Sequence, residues 1–384
     1  MTYYDLRERI SKVDIVSACV SADSPCSVPP ALEEKAETIA DEIVAARTKG
    51  ASVICAFGAH AIKNGLGRLL GEMLTRGWFT HLATNGAAVI HDWEFSWLGK
   101  SSEDVRENVG LGRFGTWEET GLYINLALAL GAYEGSGYGA SVGAMITQQG
   151  LSIPPREELL DKAGSVAANN RLLKTETEKS AVINAAAAAL DLYELIETEK
   201  IPSGFLPIRH PYASYSLLAA AKKTGKTFTC HPMFGHDIIY THRANRGAAI
   251  GRTAELDFLE FVNSVAGLEG GVYLSVGSAV MSPMIFEKAL SMARNAVIST
   301  NAGGKTRNAK GNESRALTNC DIHVVDLSES GWDWSKGEPP MDNPAYYHRY
   351  MKTFSRMGMR TGYIQGDNRE FFIALYRALQ KRAS

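Results

Sequence analysis

Four short segments of this chain place polar side chains where chemistry is feasible. The first is Phe57-Gly58-Ala59-His60-Ala61-Ile62-Lys63-Asn64-Gly65, directly after the apolar run Val53 to Phe57. Small residues there make a tight turn into a helix, whose free N–H groups and dipole attract a phosphate, and Lys63 adds a positive charge. An ordinary strand-to-helix turn has the same composition, so both readings stand. The second segment, Ala83-Thr84-Asn85-Gly86-Ala87-Ala88-Val89-Ile90-His91-Asp92, also follows an apolar run. Its small residues let a ligand approach the backbone, and His91 with Asp92 can serve as an acid/base pair. The plainer reading is that Asp92 caps the following helix while His91 packs against Trp93.

The third segment holds Cys230, His231, His236, Asp237 and His242. Zinc needs three or four convergent ligands, and these spacings match no standard pattern. A polar substrate pocket at a strand end fits better than a metal. The fourth, Asn301 to Gly311, is glycine-rich and basic, with Lys305, Arg307 and nearby Arg315. It can close over an anion, or simply be a solvated loop. It lacks the helix context of a P-loop, because Gly304-Lys305-Thr306 matches in letters only. Gly135-Ser136-Gly137-Tyr138-Gly139 follows a helix-like run, not a strand, so it reads as helix termination with close packing rather than a dinucleotide fingerprint.

The elements that position these segments are short apolar strands alternating with amphipathic helices. Strands are expected over residues 53–57, 79–84, 227–230, 271–276, 296–300 and 321–327. Helices are expected over 34–49, 62–76, 176–198, 212–224, 254–266, 284–295 and 368–381. That alternation specifies an α/β fold, a Rossmann-like parallel sheet with helices on both faces. Ligands of such sheets sit beyond the carboxyl ends of the strands. One domain is expected over 1–384, with 1–50 an N-terminal helical extension and 332–384 a C-terminal loop and helices.

Composition sets the outer bounds. The 384 residues are 45% hydrophobic and 21% charged, enough for a sizeable core. A formal net charge of -2 gives no field that favours nucleic acid or an anionic membrane. No apolar run approaches the ~18 residues that span a bilayer, and residues 1–12 do not read as a secretory signal. Five cysteines without a C-x-x-C pair fit reduced thiols, so a cytoplasmic location is expected.

Taken in order, segments from about Val53 to Asn295 resemble deoxyhypusine synthase. Gly58 to Gly65 stands where that family has Thr-Ser-Asn-x-x-Ser-Ser-Gly, keeping the final glycine, and Thr84 to Asp92 stands where it has Thr-Thr-Ala-Gly-Gly-x-Glu-Glu-Asp. Gly112-Arg113-Phe114-Gly115 resembles its Asn-Arg-Ile-Gly-Asn, and Ser214 to Lys223 its Ser-Tyr-Tyr-x-x-Ala-Ala helix. Asp237 to His242 is similar to its Gly-Asp-Met-x-x-Phe-His, and Gly277 with Met292-Ala293-Arg294-Asn295 to its glycine turn and Leu-Met-Arg-Asn helix. The resemblance implies an NAD-binding fold, with Gly58, His60, Lys63, Asn64, Gly65, Thr84, Asn85, Gly86, Gly277 and Ser278 at the cofactor. It puts His91, Asp92, Asp237 and His242 at the chemistry, and implies a homo-oligomer, a dimer or the family's homotetramer.

The departures are as informative. The family's nucleophilic lysine lies in Ser-Trp-Gly-Lys late in the chain, whereas here Trp334-Ser335-Lys336 has the wrong order, and Ser96-Trp97-Leu98-Gly99-Lys100 comes far too early. A second family lysine is replaced within Ala279-Val280-Met281-Ser282-Pro283-Met284. The expectation is therefore an NAD-dependent enzyme, transferase or oxidoreductase in type, that acts on the C–N bond of a small amine or amino acid without making deoxyhypusine. Two other readings are an enzyme of this fold that binds an anionic metabolite through Lys63, Lys305 and Arg307, and a non-catalytic nucleotide-binding protein.

Overall fold

Val53–Phe57 is five consecutive apolar residues, all buried, and forms strand β1. A strand with no polar face belongs in a parallel sheet covered on both sides. The computed structural model describes residues 1–169, 175–302 and 317–383. In it β1 is joined by β2 (His81–Thr84), β3 (Thr227–Cys230), β4 (Val272–Val276), β5 (Asp321–Asp326) and β6 (Arg360–Gln365). The order across the sheet is β6-β5-β4-β1-β2-β3, and every pair is parallel. Read from the other edge this is 3-2-1-4-5-6, the doubly wound order of dinucleotide-binding sheets. The winding reverses between β1 and β4, which run in register from Val53 beside Val272 to Phe57 beside Val276.

The contacts group the chain into two compact units. One comprises Met1–Ser17, Val89–Lys223 and Pro232–Asp257; the other, which holds the whole sheet, comprises Ala18–Ala88, Thr224–His231 and Phe258–Ser384. Neither unit is a continuous stretch, so no linker in the sequence marks the division.

In the sheet unit, alternate strand residues Ile54, Ala56, Tyr273, Ile322 and Val324 enter a cluster with Phe261, Phe286, Leu290 and Phe354. Helices Pro30–Thr48 and Asn368–Ala383 pack together, and Glu37 and Asp41 of the first pair with Lys381 and Arg382 of the second. The other unit is mainly helical, with an antiparallel pair of strands, Gly150–Ile153 and Gly204–Pro207. There the Gly135 to Gly139 segment ends one helix and starts the next, as expected. Gly135 takes a left-handed cap at φ +72°, and a Cβ on Gly137 would lie 1.9 Å from Asp257 Oδ1. No helix among the described residues is long and apolar enough to cross a membrane.

Several expected elements are corrected. Residues 296–300 are not a strand; they continue the helix Met281–Ala302. The β-branched run there imitates a strand, but no glycine or proline separates it from the helix that precedes it. The tail from 332 contains β6 as well as helices. That strand is an edge strand, mostly half-exposed and rich in polar residues, so it carries no apolar signal. The helix expected over 62–76 is two, Ala59–Lys63 and Gly67–Thr75, divided at Gly65 with φ +83°. The first 50 residues hold the helix Pro30–Thr48, but also a 3-10 turn at Leu6–Glu8 and the strand Val13–Asp14.

Candidate functional site

The ten residues assigned to a cofactor all belong to the sheet unit. Gly58 ends β1 and donates its N–H to Val276 O of β4 at 3.1 Å. A Cβ there would sit 2.1 Å from Gly277 O, so the glycine is required by the close approach of two backbones at the reversal of winding. Gly65 is likewise fixed by packing, since a Cβ would meet Ala18 O at 2.0 Å. Thr84 uses its hydroxyl to bind Phe57 O at 2.9 Å, tying the ends of β1 and β2. Asn85 accepts from Ala88 N–H at 3.1 Å and so caps the helix Gly86–Leu98. Ser278 accepts from Ser282 N–H at 3.2 Å at the start of Met281–Ala302.

His60, Asn64 and Gly277 are the three that come together. They line a cavity of 210 Å³ at the carboxyl ends of β1, β4, β5 and β6, with Asp326, Asp367 and Asn368. Lys63 is not part of that lining. Asn64 Nδ2 donates to Asn368 Oδ1 at 3.2 Å, joining the loops after β1 and β6. Asp326 and Asp367 each accept one backbone N–H through Oδ1, from Ser328 at 2.9 Å and from Arg369 at 2.8 Å. Sequence reasoning missed both carboxylates. The strand-end rule applied to β5 would have found Asp326, whereas Asp367 follows a strand with no apolar signature.

The four residues assigned to the chemistry, His91, Asp92, Asp237 and His242, belong to the other unit. Asp92 is buried and accepts from the Ser216 hydroxyl at 2.5 Å and from the N–H groups of Leu217 and Leu218 at 2.8 and 3.2 Å. It thus caps the helix Leu217–Thr224, distant in sequence from its own. Burial pushes its carboxyl up to about 6 against the pull of those bonds. His242 is buried, its ring is tilted against Tyr3 with centroids 4.3 Å apart, and its Nε2 lies 3.3 Å from Glu118 Oε2. Burial lowers its affinity for a proton, although Glu118 works the other way. Asp237 is buried and accepts from Tyr240 Oη at 3.4 Å.

His91 belongs to a denser network. Its Nδ1 is 2.7 Å from Ser101 Oγ, and Ser101 donates to Glu94 Oε2 at 2.5 Å. Glu94 is fully buried and grips Arg9 through both oxygens, at 2.8 and 2.7 Å, while Thr120 donates to Oε1 at 2.9 Å. Burial raises the Glu94 carboxyl, but the Arg9 charge and these bonds hold it below its usual range.

Among the described residues no group of three or more His, Cys, Asp or Glu could hold a metal ion. Lys305, Arg307 and Arg315 lie outside the described residues. No family model matches the chain, and no curated protein matches it. Among solved structures, AgrE in a ternary complex with ornithine and NAD+ aligns over 93% of this chain and 34% of its own, with 14% identity and a TM-score of 0.43. ArgZ, an arginine dihydrolase from the ornithine–ammonia cycle in cyanobacteria, aligns over 91% and 33%, with 13% identity and a TM-score of 0.38. A protein described as LOR/SDH from Methanococcus maripaludis S2 aligns over 95% and 73%, with 12% identity and a TM-score of 0.41. The chain spans about a third of the length of AgrE and of ArgZ. None of these three is named as a deoxyhypusine synthase, and the resemblance to that family rests on the sequence segments alone.

Proposed function

We propose that this chain is an NAD-dependent enzyme acting on the C–N bond of a small amine or amino acid. The observation that carries the nucleotide half is the cavity at the strand ends beside the reversal of winding in a 3-2-1-4-5-6 sheet. Its lining fits a ribose: Asp326 and Asp367 supply acceptors for sugar hydroxyls, and the amides of Asn64 and Asn368 supply a further donor and acceptor. At 210 Å³ it suits one segment of a dinucleotide, since pockets for whole drug-sized ligands run from about 300 to 1,000 Å³. Bound NAD would supply a hydride acceptor.

Residues of the other unit, taken by themselves, suit an amine. Asp237 offers a buried carboxylate to a substrate ammonium, and His91 or His242 takes the proton released from the amine. Asp92, with both oxygens occupied in capping, supports the helix Leu217–Thr224 rather than the proton transfer. The anionic-metabolite reading rests on Lys63, which does not line this cavity, and on Lys305 and Arg307, which lie outside the described residues.

The test is calorimetric titration of the purified chain with NAD, followed by a panel of polyamines and basic amino acids in the presence of NAD, read as reduced nicotinamide. NAD binding with hydride transfer supports the proposal. Binding without transfer to any amine would select the non-catalytic nucleotide-binding reading, and no binding of NAD or NADP would end the nucleotide assignment.

A further inference from the structure

His91 and Glu94 are three residues apart on the helix Gly86–Leu98 and therefore share a face. Ser101 stands between them, held in the two-residue strand Lys100–Ser101 that pairs with Val13–Asp14. Its hydroxyl has one proton to give and lies within hydrogen-bond distance of both neighbours. The direction of the chain is set at its far end. Glu94 is clasped by both terminal nitrogens of Arg9 and is a carboxylate, which can only accept. The Ser101 proton must therefore point to Glu94 Oε2, leaving Ser101 Oγ to accept from His91 Nδ1.

We infer that Glu94, acting through Ser101, locks His91 in the Nδ1–H tautomer and makes Nε2 its proton-accepting atom. A carboxylate that orients an imidazole is the familiar way to prepare a general base; here a hydroxyl is interposed. Ser101, Glu94 and Arg9 are then positioning residues. When His91 takes a proton, the Glu94 charge favours the resulting imidazolium, with Arg9 opposing and the nearby Glu103 carboxyl adding to Glu94. That His91 receives a substrate proton rests on the function proposed above; the tautomer does not.

The test is nitrogen NMR of the full chain with ¹⁵N-labelled histidine at pH 8, with His91→Ala identifying the resonances. The expected wild-type pattern is a pyrrole-like Nδ1 and a pyridine-like Nε2. Ser101→Ala should shift His91 toward the Nε2–H form. Glu94→Gln should do the same by another route, because Arg9 holds the amide oxygen and turns the amide N–H toward Ser101, reversing the chain. An Nε2–H or doubly protonated ring in the wild type, or a tautomer unchanged in Ser101→Ala, overturns the inference. Should Glu94→Gln fail to fold for loss of its buried ion pair, the wild-type and Ser101→Ala spectra decide. None of these readings requires a substrate, so they separate failure of the relay from failure of the proposed activity.

Discussion

Asp326 and Asp367 stand at the ends of adjacent strands, and under the proposed nucleotide reading their charge would discriminate between nicotinamide nucleotides. A 2′-hydroxyl can donate to a carboxylate, whereas a 2′-phosphate brings negative charge against two others. NAD should therefore bind at least about tenfold more tightly than NADP, a difference of roughly 1.4 kcal/mol. Asp326→Asn and Asp367→Asn should each narrow that gap, and both retain an oxygen for the backbone N–H they now accept. Equal affinities of the wild type for both nucleotides, measured by calorimetry, would remove the carboxylates from the site. The complementary experiment concerns Asp237. Asp237→Asn should weaken an amine substrate about tenfold or more while leaving NAD affinity nearly intact; if both bind as before, the residue is structural. At this scale the sequence was readable in which loops meet at the strand ends. His60, Asn64 and Gly277 follow apolar strands and glycine turns, and they do share a cavity. Thr84, Asn85, Gly65 and Ser278 show the limit of that reasoning. The residue types that cradle a ligand are also those that cap helices and let backbones meet, and only geometry shows which task occupies them.

Strands β2 and β3 carry a buried polar chain that no motif announced. His81 Nδ1 lies 2.7 Å from Ser264 Oγ, its Nε2 lies 2.7 Å from Thr229 Oγ1, and His231 Nε2 lies 2.9 Å from that same hydroxyl. Both rings sit edge-on to Phe261, at 5.5 and 5.2 Å. Burial depresses each histidine to about 3. In the unfolded chain a histidine takes up its proton near 6.5. The stability these neutral rings contribute is therefore complete above that value and is lost as the pH falls below it, because the unfolded state then binds more protons. Between pH 7 and pH 5 the loss should be about 2 kcal/mol per ring. Urea unfolding at the two pH values should show it, and His81→Gln should shrink the fall by about 2 kcal/mol. An identical fall in the variant would refute the assignment. The elements themselves were legible where burial is two-sided, as in β1 and β4, every residue of which is buried. They were illegible where an edge strand is polar, as β6 is, and where a β-branched run simply prolongs a helix, as at 296–300.

At the scale of the whole molecule, the proposed reading is hydride transfer without transfer of an amine fragment to a protein lysine, and the chain should not make deoxyhypusine. That reaction needs a lysine amine held against an imine carbon and partly deprotonated by burial or by neighbouring cations. The glycine turn after β4 leads into Met281, Ser282, Pro283 and Met284, none of which carries an amine. Lys288, further along the same helix, is half-exposed and paired with the adjacent Glu287. Lys336 sits on a 3-10 turn with 69% of its side chain exposed, 3.6 Å from Asp333, so its surroundings are water and a carboxylate rather than an apolar pocket. Lys305 lies outside the described residues and, with Lys336, is the remaining substitute to test. Incubation with NAD, labelled spermidine and an acceptor translation factor, followed by borohydride trapping, should leave the factor unlabelled and no lysine of this chain modified. Label on the factor, or on Lys305 or Lys336, would restore the transferase reading. Reduced nicotinamide formed without trapped label is the outcome expected of the proposed activity.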